Sequence, residues 1–554
     1  MSDADLVFVN GAVYTVDAAG SWARAVAVRG DRIVAVGTDD DVRGHVGPRT
    51  QVIDLAGRML LPGFQDAHVH AQGGGMDRLR IDLSGVHALE DYERLIRDWA
   101  EANPDAGWIL GGGWAMDVFP GGTPSRTILD RVVPDRPAFL SNRDNHAAWV
   151  NTRALDLAGV GPTTADPVDG RIEREADGTP QGTLHEGAMM LVRRLVPDPS
   201  EEERAQALLL AQDYLHSLGI TAWQEAIVGD YPTIPNCREI YPALARAGKL
   251  TGRVVGALWL ERGRGVEQVE ELVGYREATT VEGYRAGTVK IMLDGVCENR
   301  TAAVGEAYLG PDGRPTGETG IEYFDPRTLQ EVVVRLDAEG FQVHIHVIGD
   351  RACRDALDAI EAARRANGWT DHRHHLAHIQ LVRPEDVPRF RVLGVTGNAQ
   401  MLWAAHDHQM DDLTIPFIGP ERAGWQYPFG SLLAAGACLA AGSDWPVSTP
   451  DPLQAIHVGV HRTPPPGYVY GVASEEPFLP SERITLPQAI RAYTMGSAYV
   501  NHLDDRTGSI EVGKLADLVV LSDDLFELDS PARARVLLTL VGGRVVYEAE
   551  DSGL

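Results

Sequence analysis

Lysine is almost missing from this 554-residue chain: among its 50 basic residues only Lys249, Lys290 and Lys514 are lysine, and the rest are arginine. Basic charge is scarce altogether, since 79 acids leave a formal net charge of −29. Such a surface lacks the clustered cations that displace counterions from nucleic acid, and an anionic membrane leaflet repels it; neither partner is expected, and a small molecule is. Cysteine is equally sparse. Cys237, Cys297, Cys353 and Cys438 stand far apart with no CxxC pair, which excludes a disulfide framework and a thiolate zinc cluster and points to reduced thiols. No stretch reaches the roughly 18 apolar residues of a membrane span, and the first residues, MSDADLVFVN, carry acids where an export signal needs bases. A cytoplasmic globular protein is therefore expected, and 44% hydrophobic residues can bury a large core in more than one domain.

What the chain does contain changes texture along its length. Up to residue 60, short apolar stretches alternate with turn signals: Leu6-Val7-Phe8-Val9 precedes Asn10-Gly11, and Ala25-Val26-Ala27-Val28 precedes Ile33-Val34-Ala35-Val36. This is the pattern of short antiparallel strands. The tail repeats it in Leu518-Val519-Val520-Leu521 and around Gly542-Gly543, a good hairpin turn. Neither end has strands enough to bury a face alone, so one small β-sandwich built from residues 1–60 and 505–554 is predicted.

Between the ends, strand-like runs alternate with helical ones, the mark of the α/β class. Eight runs stand out: Leu61 to His70, Ile220 to Glu225, Arg253 to Leu260, Thr288 to Asp294, Gln342 to Ile348, His374 to Leu381, Val395 to Met401 and Ala437 to Trp445. They predict a (β/α)8 TIM barrel over residues 61–504. The first interval is far too long for one helix. A large insertion after strand 1, over residues 72–215, is therefore predicted, an irregular cap rich in Gly, Pro and Trp.

The first run ends in Asp66-Ala67-His68-Val69-His70. Alternate side chains of a strand share a face, so two imidazoles spaced this way can hold one metal ion. Catalytic groups in barrels gather where strands end, and three further ends supply ligand chemistry. His346 lies nearest the rim of a run in which His344 also points inward, His378 closes a run in which His374 shares its face, and Asp444 follows the small residues Gly442 and Ser443. Each alone has an ordinary explanation, a core histidine or a capping aspartate. Together at four strand ends they point to a metal centre.

Lys290 adds to this set. It sits in Val289-Lys290-Ile291-Met292-Leu293 with its apolar neighbours facing the helices, in a chain that otherwise prefers arginine. Burial favours the neutral, nucleophilic amine, which can take up carbon dioxide as a carbamate. The two carbamate oxygens could bridge metal ions about 3.5 to 4 Å apart. The competing reading is a salt bridge to Asp294 or Glu225.

The segments LPGFQDAHVH, SNRDNHAAWVN, TVKIMLDG, VHIHVIGDRA, HHLAHIQLV, AAGSDWPV and GSIEVGKLADLVVL, in this order and over nearly the whole chain, resemble the amidohydrolase superfamily. The resemblance is specific to its amidohydrolase-3 branch of YtcJ-like enzymes, which includes N-substituted formamide deformylases. It implies two divalent ions, zinc foremost, with His68, His70 and Asp444 on one side, His346 and His378 on the other, and carboxylated Lys290 as the bridge. It also places His146 near the substrate. The sequence departs from the branch at Val296-Cys297-Glu298-Asn299-Arg300-Thr301, after the strand-four Asp-Gly, so this loop, with Cys297, is expected to border the substrate.

The implied chemistry is metal-assisted hydrolysis of an amide or formamide, with Asp444 moving a proton from the attacking water to the leaving amine. Asp66, Glu225 and Asp294 are expected to back the ligands. Trp114, Trp149, Trp403 and Trp445 are candidates for an apolar substrate wall, Trp114 and Trp445 foremost, and a homodimer is a further expectation. A mononuclear deaminase of the same superfamily and a non-catalytic ligand-binding or regulatory protein are the alternatives.

Overall fold

Gly63 divides what the sequence presents as a single strand. In the computed structural model, which describes residues 3–554, Met59–Pro62 pairs antiparallel with Leu518–Leu521 and parallel with Ala12–Tyr14, whereas Phe64–Val69 pairs with Ile220–Val228. A Cβ at residue 63 would come within 2.3 Å of Thr221 Cγ2, so the crossing from one sheet to the other needs glycine. The expected first barrel strand thus begins at Phe64 and not at Leu61.

Eight parallel strands form the central sheet: β1 Phe64–Val69, β2 Ile220–Val228, β3 Arg253–Trp259, β4 Tyr284–Met292, β5 Gln342–Val347, β6 His375–His378, β7 Thr396–Ala399 and β8 Cys438–Ala441. No ladder joins β8 to β1, but Asp444 N, just beyond β8, donates to His68 O at 2.8 Å, and Asn398 Nδ2 reaches from β7 to Ala67 O at 2.9 Å. A Cβ on Gly442 would lie 2.7 Å from His68 Cβ, which explains the small residues leading to Asp444. Alternation sorts the strands as elementary geometry requires: Val343, Ile345 and Val347 enter the apolar layer beneath the helices while His344 and His346 point into the barrel.

Alternation fails at β6. His374, expected on the face of His378, points outward instead: its Nδ1 accepts from Val343 N at 3.0 Å and its Nε2 donates to Asp337 Oδ1 at 2.9 Å. His378 has a φ of +75°, and this left-handed turn swings its ring into the barrel.

The insertion is an ordered unit and not an irregular cap. Its six-stranded sheet runs Gly170–Arg174, Pro180–Glu186, Ala147–Val150, Ala138–Asn142, Ile109–Trp114 and Ile81–Asp82 in spatial order. Trp114 belongs to the core of this unit: its indole donates to Leu140 O at 2.9 Å and its ring packs on Phe119 and Trp149. The substrate wall predicted from Trp114 and Trp149 is therefore a folding core. The insertion also ends earlier than residue 215, because helix Glu201–Ser217 places Leu208, Ala211 and Leu215 in the barrel's own apolar layer.

Both chain ends contribute to two further sheets, one of four strands from the N-terminal region and one of six in which Leu518–Leu521, Val536–Val541 and Arg544–Glu548 join N-terminal strands. Phe8, Val26 and Ile53 from the first share one apolar cluster with Leu60, Val520 and Leu538 from the second. Among the described residues no helix is long and apolar enough to cross a membrane.

Candidate metal centre

The site is organised from the barrel floor upward. Gln224 Oε1, which can only accept, lies 2.6 Å from His344 Nδ1, so that nitrogen carries the proton. His344 Nε2 then accepts from His68 Nδ1 at 2.7 Å, and His68 Nε2 is left as a lone pair. It faces Asp444 Oδ1 at 2.9 Å, and His70 Nε2 approaches the same oxygen at 3.0 Å. His70 is set in place by its backbone N–H, which donates to Trp445 O at 2.8 Å.

Two features make this trio fit a cation. His68 Nε2 and Asp444 Oδ1 are buried without a hydrogen-bond partner, a costly arrangement for acceptors that face each other. The ligand atoms of His68, His70 and Asp444 also lie within 4.8 Å of one another. Burial pushes His68 down to about 3 and lowers His70, so both rings are neutral. Neutral imidazoles around an ionised carboxylate are the donor set a divalent ion takes.

Lys290, His346 and His378 line the same cleft. His346 is oriented from behind by Asp294, whose Oδ1 accepts from Nδ1 at 3.1 Å while Ile348, Gly349 and Ala303 N–H groups fix the carboxylate. His378 stacks on Trp403 with ring centroids 5.2 Å apart and planes 6° apart, and its Nδ1 lies 3.9 Å from Asp444 Oδ2. Lys290 is 1% exposed and its amine makes no hydrogen bond or ion pair among the described residues, so neither salt bridge that its sequence allows is formed. Burial pushes its amine down to about 7.

Several expected contributors stand elsewhere. Asp66 accepts backbone N–H groups of His68 and Ser443 and so ties β1 to the segment after β8, with no contact to a ligand imidazole. Cys297 is turned into an apolar cluster with Tyr308, and the loop borders the cleft through Val296 instead. The Trp445 ring packs on Tyr214 at 5.3 Å, outside the cleft; only its carbonyl serves the site, through His70. Of the tryptophans read as a substrate wall, Trp403 alone lines the cleft. His146 does so too, and Glu186, which no motif marks, holds it.

Glu225 faces the helices: Oε2 accepts from Tyr241 Oη at 2.5 Å and from Gln72 N at 3.3 Å, while Gln224 takes the inward place. Burial raises its carboxyl from 4.5 to about 8. Between those two pH values the folded protein keeps a proton that the unfolded chain has lost, so this group's contribution to stability falls as pH rises. Glu225→Gln preserves both accepted bonds and lacks the slope. Chemical denaturation at about pH 5 and about pH 8 should show the variant gaining on wild type at the higher pH; a constant difference would contradict the assignment.

Comparison with known proteins agrees with this geometry. The amidohydrolase family profile matches residues 51–547. The Arabidopsis thaliana protein LONG AFTER FAR-RED 3 is 33% identical over 98% of this chain and 92% of its own length, and the N-substituted formamide deformylase of Arthrobacter pascens is 30% identical over 99% of each. An uncharacterized metal-dependent hydrolase from Pyrococcus furiosus superposes with a TM-score of 0.69 at 26% identity, covering 94% of this chain and 99% of that one. A parallel eight-stranded barrel with a buried His-His-Asp group, matched over nearly its whole length by this profile, makes the chain a member of the amidohydrolase family.

Proposed function

We propose that the protein is a binuclear metallohydrolase that cleaves the C–N bond of a small N-substituted formamide or N-acyl amine. The observation that carries this reading is the ionised Asp444 set against the His68 lone pair, in one cleft with His70, His346, His378 and a partnerless buried Lys290. His68, His70 and Asp444 would hold one ion and His346 and His378 the other. Lys290, as a neutral amine, would add to carbon dioxide with loss of one proton, and the resulting carbamate would supply further oxygen ligands. Bound divalent ions, zinc foremost, supply Lewis acidity that acidifies water and polarises a carbonyl.

The chain's own groups do the rest. Asp444 accepts the proton of the attacking water and passes it to the departing nitrogen. Asp294 keeps the His346 ring in one orientation, and His344 does the same for His68. The Trp403 face and Ile227 give an apolar wall for the substituent on nitrogen. In this reading the two terminal sheets form one β-sandwich that braces β1. The formamide assignment is supported by the full-length similarity to a deformylase.

Metal analysis and a substrate panel test it together. Two equivalents per chain, a mass increment of one carboxyl group on Lys290 and turnover of N-formyl or N-acyl amines are expected. One equivalent with an unmodified Lys290 and turnover of aminopurines would replace the proposal with a mononuclear deaminase; no turnover of any panel member would remove the enzymatic reading. Chelation should also lower the melting temperature by several degrees, because ions that bind only the folded state stabilise it.

A further inference from the structure

Two residues of the insertion meet above the cleft. His146 is 5% exposed and lines the cleft beside His346 and Asp444, and its Nδ1 lies 2.7 Å from Glu186 Oε1. An ionised carboxylate only accepts, so Nδ1 carries the proton. Nε2 makes no hydrogen bond to the protein among the described residues, which leaves it for the contents of the cleft.

Glu186 is itself held hard. It is 1% exposed, the Thr301 hydroxyl donates to the same Oε1 at 3.0 Å, and its φ is +52°. A residue with a side chain keeps such a backbone only where its surroundings impose it, and these places concentrate at functional sites. A Cβ on Gly295 would come 2.6 Å from Oε1, so that glycine makes room for the carboxylate. Thr301 and Gly295 come from the segment after β4, Glu186 from one strand of the insertion, and His146 from the turn before another. Three segments thus converge to fix one imidazole. The neighbouring pair provides a contrast: His185 Nε2 lies 3.1 Å from Glu173 Oε1, yet His185 does not line the cleft.

We infer that Glu186 is a positioning residue for His146, and that His146 meets the amide group of the substrate through Nε2; this rests on the hydrolase reading above. A partner on the far nitrogen fixes the ring's orientation, which is what a contact to a reacting group needs. The loop after β4 joins this arrangement through Thr301 and so acts on the substrate indirectly.

The test uses metal-loaded full-length protein and the best substrate of the panel. His146→Ala and Glu186→Ala should each lower kcat roughly 100-fold with KM changed less than about threefold, and the double variant should be no worse than His146→Ala, as expected for residues that act as a unit. Glu186→Gln, whose Oε1 still accepts Nδ1–H, should stay within about fivefold of wild type. Glu173→Gln serves as a control with unchanged kcat. In histidine-labelled protein, the hydrogen-bonded Nδ1–H signal missing from His146→Ala should be lost in Glu186→Ala and kept in Glu186→Gln. A wild-type kcat for Glu186→Ala, multiplicative losses in the double variant, or a Glu186→Gln as impaired as Glu186→Ala would each overturn the inference. Should Glu186→Ala fail to fold, Thr301→Val decides: kcat lowered at unchanged KM supports the inference, and unchanged kcat overturns it. If wild type turns over nothing, the hydrolase reading fails while the labelled-histidine measurement still decides the positioning contact.

Discussion

Asp444→Asn should lower turnover at least about 1,000-fold and, at the same time, make the metal-free protein more stable, because the two effects come from the same atom. In wild type, Oδ1 stands 2.9 and 3.0 Å from two imidazole nitrogens, and the His68 nitrogen is a lone pair. An asparagine can turn its Nδ2–H groups toward them, converting a contact between acceptors into a hydrogen bond and removing a buried charge. The cost falls on function: an amide cannot accept the proton of the attacking water and is a poor ligand for a divalent ion. Melting curves with and without metal should show the metal-free midpoint raised and the increment on metal loading reduced, alongside loss of kcat. If the metal-free variant melts below wild type, the two nitrogens are already donating to Asp444, and the assignment of proton positions through Gln224 and His344 is wrong.

The second large effect is expected at Lys290. Lys290→Met keeps the length and bulk of the side chain and removes an amine that is 1% exposed and finds no partner. Activity should fall by about three orders of magnitude, since the variant forms no carbamate, while metal-free stability holds or rises, because an unpaired polar group leaves the interior. Lys290→Gly opens a space at the same point. Added acetate or propionate, whose carboxylate has the shape of a carbamate terminus, should restore part of its activity in a concentration-dependent way. Full activity of Lys290→Met would show that the bridge is not needed. A large loss of stability without metal would show instead that the amine has a structural partner.

Most of this centre is legible in the sequence because strand alternation is local information. His68, His70, Lys290, His346 and Asp444 lie at or just beyond the ends of β1, β4, β5 and β8, and the structure brings them to one cleft without any correction to their facing. Misreadings arise where the backbone departs from the ideal strand. His374 is misplaced because the left-handed turn at His378 interrupts the period, and Glu225 because the inward place on β2 belongs to Gln224. Trp114 and Trp445 fail differently: an aromatic side chain beside a site is indistinguishable in sequence from one packing a core, and both pack cores. Glu186 has no local signal. Its role exists only because the insertion folds back on the loop after β4, a meeting that no spacing encodes.

The crossing at Gly63 also sets a timetable. Met59–Pro62, which leads directly into the strand bearing His68, has Leu518–Leu521 as one of its two lateral partners. During synthesis that flank stays bare until the ribosome has passed Leu521, although His68, His70, Lys290, His346, His378 and Asp444 all precede it in the chain. A chain stopped short of Leu518 should therefore carry all six proposed ligands and still lack a strand that flanks the segment leading into β1. C-terminal truncation ought to disable this protein as thoroughly as the loss of a ligand, from the opposite end of the sequence.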